Sequence, residues 1–178
     1  SNVPCWTAKK KNCASGNAAN PETRCAPAAE SVKITMLHVT ATKIFEFAYA
    51  HRLPSYKGKC VTMHGHTAKV EITVADVRGE RYPGITADFH EIKAKVGPLV
   101  EELDHKCLND VVGKAGVDAP GYFEQVEDEE GVLVVAPTAE NMVRWFKLRL
   151  EREWPEANVV RIRFWESPSS YCEWCRSG

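Results

Sequence analysis

The stretch from His64 to Val74 constrains this chain more than any other. His64, His66, Ala68, Val70, Ile72 and Val74 alternate with Gly65, Thr67, Lys69, Glu71 and Thr73. Successive side chains of a strand point to opposite faces, so this period of two specifies a strand with one apolar and one wet face. Both histidines fall at the start of the apolar face. Upstream, Thr40, Thr42, Ile44, Phe45, Phe47 and Tyr49 give a β-branched and aromatic segment within 37–51, which stops before Pro54 and Gly58. That is a second strand, and the short connection between the two suits an antiparallel pair.

His51 ends the first strand, so antiparallel pairing brings it beside His64-Gly65-His66. Three neutral imidazoles without a fourth protein ligand are the donor set of a catalytic zinc site with one open position. A His-x-His pair alone describes two satisfied histidines equally well; the third histidine is what favours Zn2+. Cys60, four residues before His64, has several readings. It can close the metal site as a fourth ligand, act as a proton-abstracting base whose thiol is acidified by a nearby cation, or simply be a small buried thiol.

Two further spots carry possible chemistry. In Leu103-Asp104-His105 a carboxylate adjoins an imidazole, a pairing that fixes a tautomer and raises basicity, or else just a polar helix end. Glu166 continues the alternation of Val160, Ile162 and Phe164, which puts a carboxylate on an apolar face. A buried charge needs a partner. A planar ring offering two parallel N–H donors, such as guanine or a pterin, would serve, and so would an arginine; past the strand's end the carboxylate would need no partner at all.

Between these strands lie two helical patterns. Asp88 with Glu91 resembles a capping box, and Phe89, Ile92, Val96, Leu99, Val100 and Leu103 recur at helical spacing, with a kink or split predicted at Gly97-Pro98. Residues 110–136 read as a long surface connection rich in Gly and acidic residues. Thr138 then caps a second helix with Glu140 in its first turn and Met142, Phe146 and Leu150 as its buried stripe. The predicted order is strand, strand, helix, helix, strand, strand. Residues 1–35 lack either period and read as an N-terminal extension to a domain spanning 36–178.

Composition narrows the function classes. With a net charge of −1, 44% hydrophobic and 26% charged residues, the chain reads as an ordinary soluble globular protein and not as a dedicated nucleic-acid binder. It holds no apolar run near the roughly 20 residues a membrane helix needs, and it reads as cytoplasmic. Its seven cysteines are then expected as thiols, ligands or nucleophiles more than as disulfides. Cys172-x-x-Cys175 is a possible half of a second, structural zinc site, completed by Cys5, Cys13 or Cys25; otherwise these are free thiols, with Cys172 and Cys175 on opposite faces of a regular strand.

Seven segments taken together resemble the 6-pyruvoyltetrahydropterin synthase and 6-carboxytetrahydropterin synthase family: Ala50-His51-Arg52-Leu53, Cys60-x-x-x-His64-Gly65-His66, Asp88-Phe89, Leu103-Asp104-His105, Leu108-Asn109, Pro137-Thr138-Ala139-Glu140-Asn141 and Trp165-Glu166-Ser167-Pro168. The resemblance implies an α+β tunnelling fold (T-fold), a four-stranded antiparallel sheet with two helices on one face in the order ββααββ. It also implies a homo-oligomer, commonly a hexamer, with active sites between subunits. By the same resemblance His51, His64 and His66 bind zinc and Cys60 is the general base. Asp104 and His105 form a proton relay reaching in from a neighbouring subunit. Glu166 anchors the pterin ring, with Thr138 and Glu140 lining its pocket.

The three residues between Cys60 and His64, Val61-Thr62-Met63, resemble the bacterial carboxytetrahydropterin branch. That branch implies conversion of 7,8-dihydroneopterin triphosphate to 6-carboxy-5,6,7,8-tetrahydropterin with release of acetaldehyde and triphosphate, a step toward queuosine and other 7-deazaguanines. The rival expectations are 6-pyruvoyltetrahydropterin synthesis and pterin binding without turnover. Thr67-Ala68 departs from the family pattern after His66, and the extension and the 110–136 segment have no counterpart in compact members.

Overall fold

The computed structural model describes residues 38–80, 82–118 and 121–177, without the side chains of 114–118. The extension 1–35, with Cys5, Cys13 and Cys25, lies outside the described residues. Leu37–Gly178 form one compact unit.

The alternating segments form the expected strands. β1 (Ala41–His51) pairs antiparallel with β2 (His64–Val77), and the register sets His51 opposite His64, Tyr49 opposite His66 and Phe47 opposite Ala68. On β2 the even-numbered residues Ala68, Val70, Ile72 and Val74 have no exposed surface. β6 (Ala157–Ser167) and β7 (Ser170–Cys175) extend the sheet antiparallel on the far side of β2. On the other side β1 takes a two-residue parallel strand, β3 (Lys106–Cys107), so the sheet has five strands in the order β3-β1-β2-β6-β7.

The alternation read from β6 breaks at one point. Thr73 faces Arg161 and Val74 faces Val159, which leaves Val160 as an extra residue in a bulge. Val159 is therefore buried and Val160 only partly so, while Ile162 and Phe164 keep the inward face. Beyond the bulge Phe164 keeps the inward face, and Glu166, two residues on, meets Tyr49 and His51 of that face, as its spacing predicted.

α1 (Phe89–Glu101) packs against β1, and α3 (Ala139–Glu153) packs against β6 and β7. Their stripes enclose the core: Ile92, Val96 and Leu99 from the first, Met142, Phe146 and Leu150 from the second. Phe89, expected in the stripe, is 53% exposed. Asp88 caps α1 by accepting from the His90 amide at 2.8 Å. Glu91 does not close a capping box; its carboxylate instead accepts from Trp154 Nε1 at 3.3 Å. No split occurs at Pro98: the helix runs through it, and the Glu102 amide donates to the Pro98 carbonyl at 3.2 Å. Gly97 removes one obstacle, because the clash of a proline ring with the preceding Cβ has no Cβ to meet.

Residues 110–136 are not an irregular connection. They contain most of a third helix, α2 (Leu108–Asp118), and a small hairpin of β4 (Gln125–Glu127) and β5 (Leu133–Val135). Val112, Phe123 and Val135 are buried in the main core. The observed order is thus β1-β2-α1-β3-α2-β4-β5-α3-β6-β7. The added elements are short, and their glycines and acidic residues hid a stripe of few apolar positions. Among the described residues no helix is long and apolar enough to cross a membrane.

Candidate metal centre and active site

Among the described residues, the end of the β1–β2 pair holds a converging set of ligand atoms. His51, His64 and His66 each offer a nitrogen, and these nitrogens lie within 4.8 Å of one another. Register accounts for the cluster: His51 and His64 are direct cross-strand partners, and His66 is two residues along on the same face. Ring centroids are separated by 4.6 Å for His51 and His64, 5.0 Å for His51 and His66, and 4.9 Å for His64 and His66.

Hydrogen bonds fix which nitrogens are available. His51 Nδ1 meets the Pro137 carbonyl at 2.9 Å and His64 Nδ1 meets the Thr62 carbonyl at 2.8 Å. A carbonyl only accepts, so each Nδ1 carries the proton and each Nε2 presents a lone pair. His51 Nε2 and His66 Nε2 are buried without a hydrogen-bond partner. Burial lowers the pKa of His51 below the usual histidine value, opposed by the Pro137 carbonyl and by Glu166 and reinforced by the two other histidines. A neutral, oriented imidazole with an orphaned nitrogen is what a divalent metal requires, so the residues present fit such an ion.

Cys60 sits in a single 3₁₀ turn, Lys59–Val61, just ahead of β2 and half-buried. Its carbonyl accepts from the Leu53 amide at 2.8 Å, which closes the loop between the strands. Among the described residues the converging ligand group consists of the three histidines, without Cys60.

Glu166 reaches the cluster from β6. Its Oε1 lies 3.7 Å from His51 Nε2 and accepts a long hydrogen bond from the Tyr49 hydroxyl at 3.5 Å. Among the described residues its hydrogen-bond partner is therefore a phenol and not an arginine; it lies beside the unpartnered His51 nitrogen without bonding to it, and a third of the side chain stays exposed. Burial first, and then the Glu166 charge, raise the pKa of Tyr49 far above the ordinary phenol value. Tyr49 had been read only as a strand aromatic. Its place two residues before His51, on the same face, was the signal that could have found it.

Thr138 caps α3, its hydroxyl accepting from the Asn141 amide at 3.3 Å. Glu140, in the first turn, is held below the usual carboxylate range by its own backbone amide and, against some burial, by the Cys172 thiol and the Thr138 hydroxyl. The Pro137 carbonyl on His51 ties this helix start to the histidine cluster. Cys172 faces the core opposite Phe164, and burial together with Glu140 and Glu166 pushes its thiol up to about 11. Cys175, three residues on, is exposed. Strand geometry thus turns the two thiols of the CxxC pair to opposite faces, and the expected completion by Cys5, Cys13 or Cys25 falls outside the described residues.

Asp104 and His105 occupy the sheet edge. Asp104 Oδ1 accepts from the Ala48 amide at 2.9 Å, and the His105 amide donates to the Ala48 carbonyl at 2.6 Å, so the pair extends the ladder of β1 before β3 begins. His105 adopts a left-handed backbone, φ 57°, and its Nδ1 lies 2.9 Å from Asp104 Oδ1. The Ala48 amide, helped by His105, keeps the Asp104 carboxyl below its ordinary pKa. The imidazole is 81% exposed. Asn109 plays a comparable role that the sequence did not reveal: its amide donates to the Arg52 carbonyl and accepts from the Arg52 amide, both at 2.9 Å, clamping the residue that follows His51.

Residues 40–176 match the family model for 6-pyruvoyl tetrahydropterin synthase. The chain is 27% identical over 139 residues to a 6-carboxy-5,6,7,8-tetrahydropterin synthase of Haemophilus influenzae, an alignment covering 75% of this chain and 96% of that one. It is 36% identical over 121 residues to the protein of the same name from Synechocystis, covering 61% and 93%. Among solved structures it resembles the 6-pyruvoyl tetrahydropterin synthase of Caenorhabditis elegans, with a TM-score of 0.54 at 22% identity over 78% of this chain and 96% of that one.

Proposed function

Because the chain belongs to the 6-pyruvoyl tetrahydropterin synthase family, we propose that it is a 6-carboxy-5,6,7,8-tetrahydropterin synthase. It converts 7,8-dihydroneopterin triphosphate to the 6-carboxy product, releasing acetaldehyde and triphosphate, in the cytoplasm and on a route to 7-deazaguanines such as queuosine. The observation that carries the reading is the trio of converging histidines, two with buried and unpartnered Nε2 atoms, beside a carboxylate. The relatives named above support the choice of the carboxy branch over pyruvoyl synthesis.

In this reading His51, His64 and His66 hold Zn2+. Held by these three residues, such an ion would supply polarisation of the substrate's side-chain hydroxyls and so acidify the adjacent C–H bonds. Cys60, outside the histidine group, takes and returns the proton. Glu166 accepts from the N–H groups of the pterin ring, and Thr138 and Glu140 line the same pocket. Asp104 orients His105, whose exposed imidazole serves as proton relay in the site of a neighbouring subunit, which requires a homo-oligomer, a hexamer in the family's usual form.

The deciding experiment incubates the zinc-loaded protein with 7,8-dihydroneopterin triphosphate and analyses the products. Acetaldehyde and the carboxylated pterin in equal amounts are expected. Triphosphate release without acetaldehyde would identify pyruvoyl synthesis instead.

A further inference from the structure

Tyr49 packs against the histidine cluster and also reaches Glu166. It is 4% exposed, and its ring stands 5.1 Å from that of His51 and 5.5 Å from that of His66. Phe47 and Phe164 pack against it at 5.9 and 6.1 Å, so a close-packed core holds the ring in place. The hydroxyl donates to Glu166 Oε1, the same oxygen that lies 3.7 Å from the orphaned His51 Nε2. Carboxylate oxygens are ordinary zinc ligands. A Glu166 free to rotate beside a three-histidine metal would bind it, close the open position and lose its capacity to accept from a substrate ring.

We propose that Tyr49 is a positioning residue that holds Glu166 beside the metal centre but off the metal. The carboxylate then stays available to the N–H donors of a bound pterin, and the fourth metal position stays open to substrate hydroxyls. This role rests on the functional reading above, in which Glu166 anchors the pterin.

The test uses the full chain loaded with Co2+, whose visible absorption reports coordination number, together with neopterin as a fluorescent binding probe. Wild type, Tyr49→Phe, Glu166→Gln and the double variant are compared, each checked by thermal unfolding. Tyr49→Phe keeps the ring and should remain folded with one bound cobalt. It should lose visible absorptivity as the carboxylate, binding through both oxygens in place of water, closes the open position and raises the coordination from four to five, and it should bind neopterin about tenfold more weakly, the loss expected for a hydrogen bond to a charged group. In the Glu166→Gln background the same change at Tyr49 should alter neither readout, because the coupling runs through Glu166. A Tyr49→Phe protein with the wild-type spectrum and affinity overturns the proposal, as does an equal effect in both backgrounds. Wild-type protein that takes up cobalt but binds no neopterin overturns the functional reading, and this proposal with it.

Discussion

His51 and His105 both sit next to a carboxylate, yet one is 1% exposed and the other 81%. His51 lies on the long β1–β2 ladder, its Nδ1 is committed to a backbone carbonyl, and its Nε2 faces two other imidazoles. His105 lies at the sheet edge, where the pair's backbone and carboxylate are satisfied by Ala48 while the ring projects outward. Burial favours the neutral form of the first histidine, and its free nitrogen converges with two others, as the proposed ligand role requires. The second ring is exposed, as the proposed relay role requires. In the proposed function the two regions therefore divide the chemistry: one is assembled within the chain, and the other would act on a neighbouring subunit.

Substitution should separate them. His51→Ala removes one of three ligands and strands the Pro137 carbonyl, so zinc content should fall well below one per chain and turnover should drop by at least ~10³-fold. His105→Ala should keep its zinc and lose turnover by about 10²-fold, the usual worth of a general acid–base group. Elemental analysis and rate measurement on the same samples check both. Zinc loss in His105→Ala would place that ring at the metal and erase the contrast.

Cys60 sharpens the comparison from within the loop. Cys60→Ala should retain zinc while turnover falls by roughly 10²–10⁴-fold. Loss of zinc would make the thiol a fourth ligand and the site a closed one. Mixing Cys60→Ala with His105→Ala under conditions that exchange subunits should then restore part of the activity, since some mixed sites would draw base and relay from intact chains. No recovery on mixing would put the relay in its own chain's site.

The sequence showed the buried half of this division better than the exposed half. A period of two fixes faces, so His64 and His66 could be assigned to one face, with His51 beside them, and Glu166 to the apolar face of its own strand before any strand was seen; the pairing of His51 with His64 and the contacts of Glu166 with Tyr49 and His51 agree. The same period failed at Val160, because a bulge is a backbone event with no side-chain signature. It was silent on Asp104 and His105, whose link to Ala48 is made by a side chain and a left-handed residue and not by a repeating pattern. α2 and the small hairpin were missed because elements of 11 and 3 residues bury too few apolar positions to show a period against Gly and acidic residues. Tyr49 was visible as an aromatic, but its hydroxyl acquires meaning only when β6 brings Glu166 alongside.

The smallest effect expected is on stability against pH, and it distinguishes the same two regions. His51 has a folded pKa below its unfolded value of about 6.5. As pH falls through 6.5 the unfolded chain takes up this proton before the folded chain does, so zinc-free protein should lose stability from there down to the folded value. Asp104 is a carboxylate with a depressed folded pKa. Its contribution is intact above about 3.9 and is lost only as pH drops further, through the folded value. Melting temperatures of zinc-free protein between pH 8 and 3 should therefore decline in two windows. His51→Gln should flatten the upper window and Asp104→Asn the lower, by a few degrees each at most, the Asp104 effect being the weaker because that carboxylate is hydrated. A single decline untouched by either substitution would mean that neither group's protonation differs between the folded and unfolded chain, and the contrast between a buried ligand and an exposed relay would lose its thermodynamic basis.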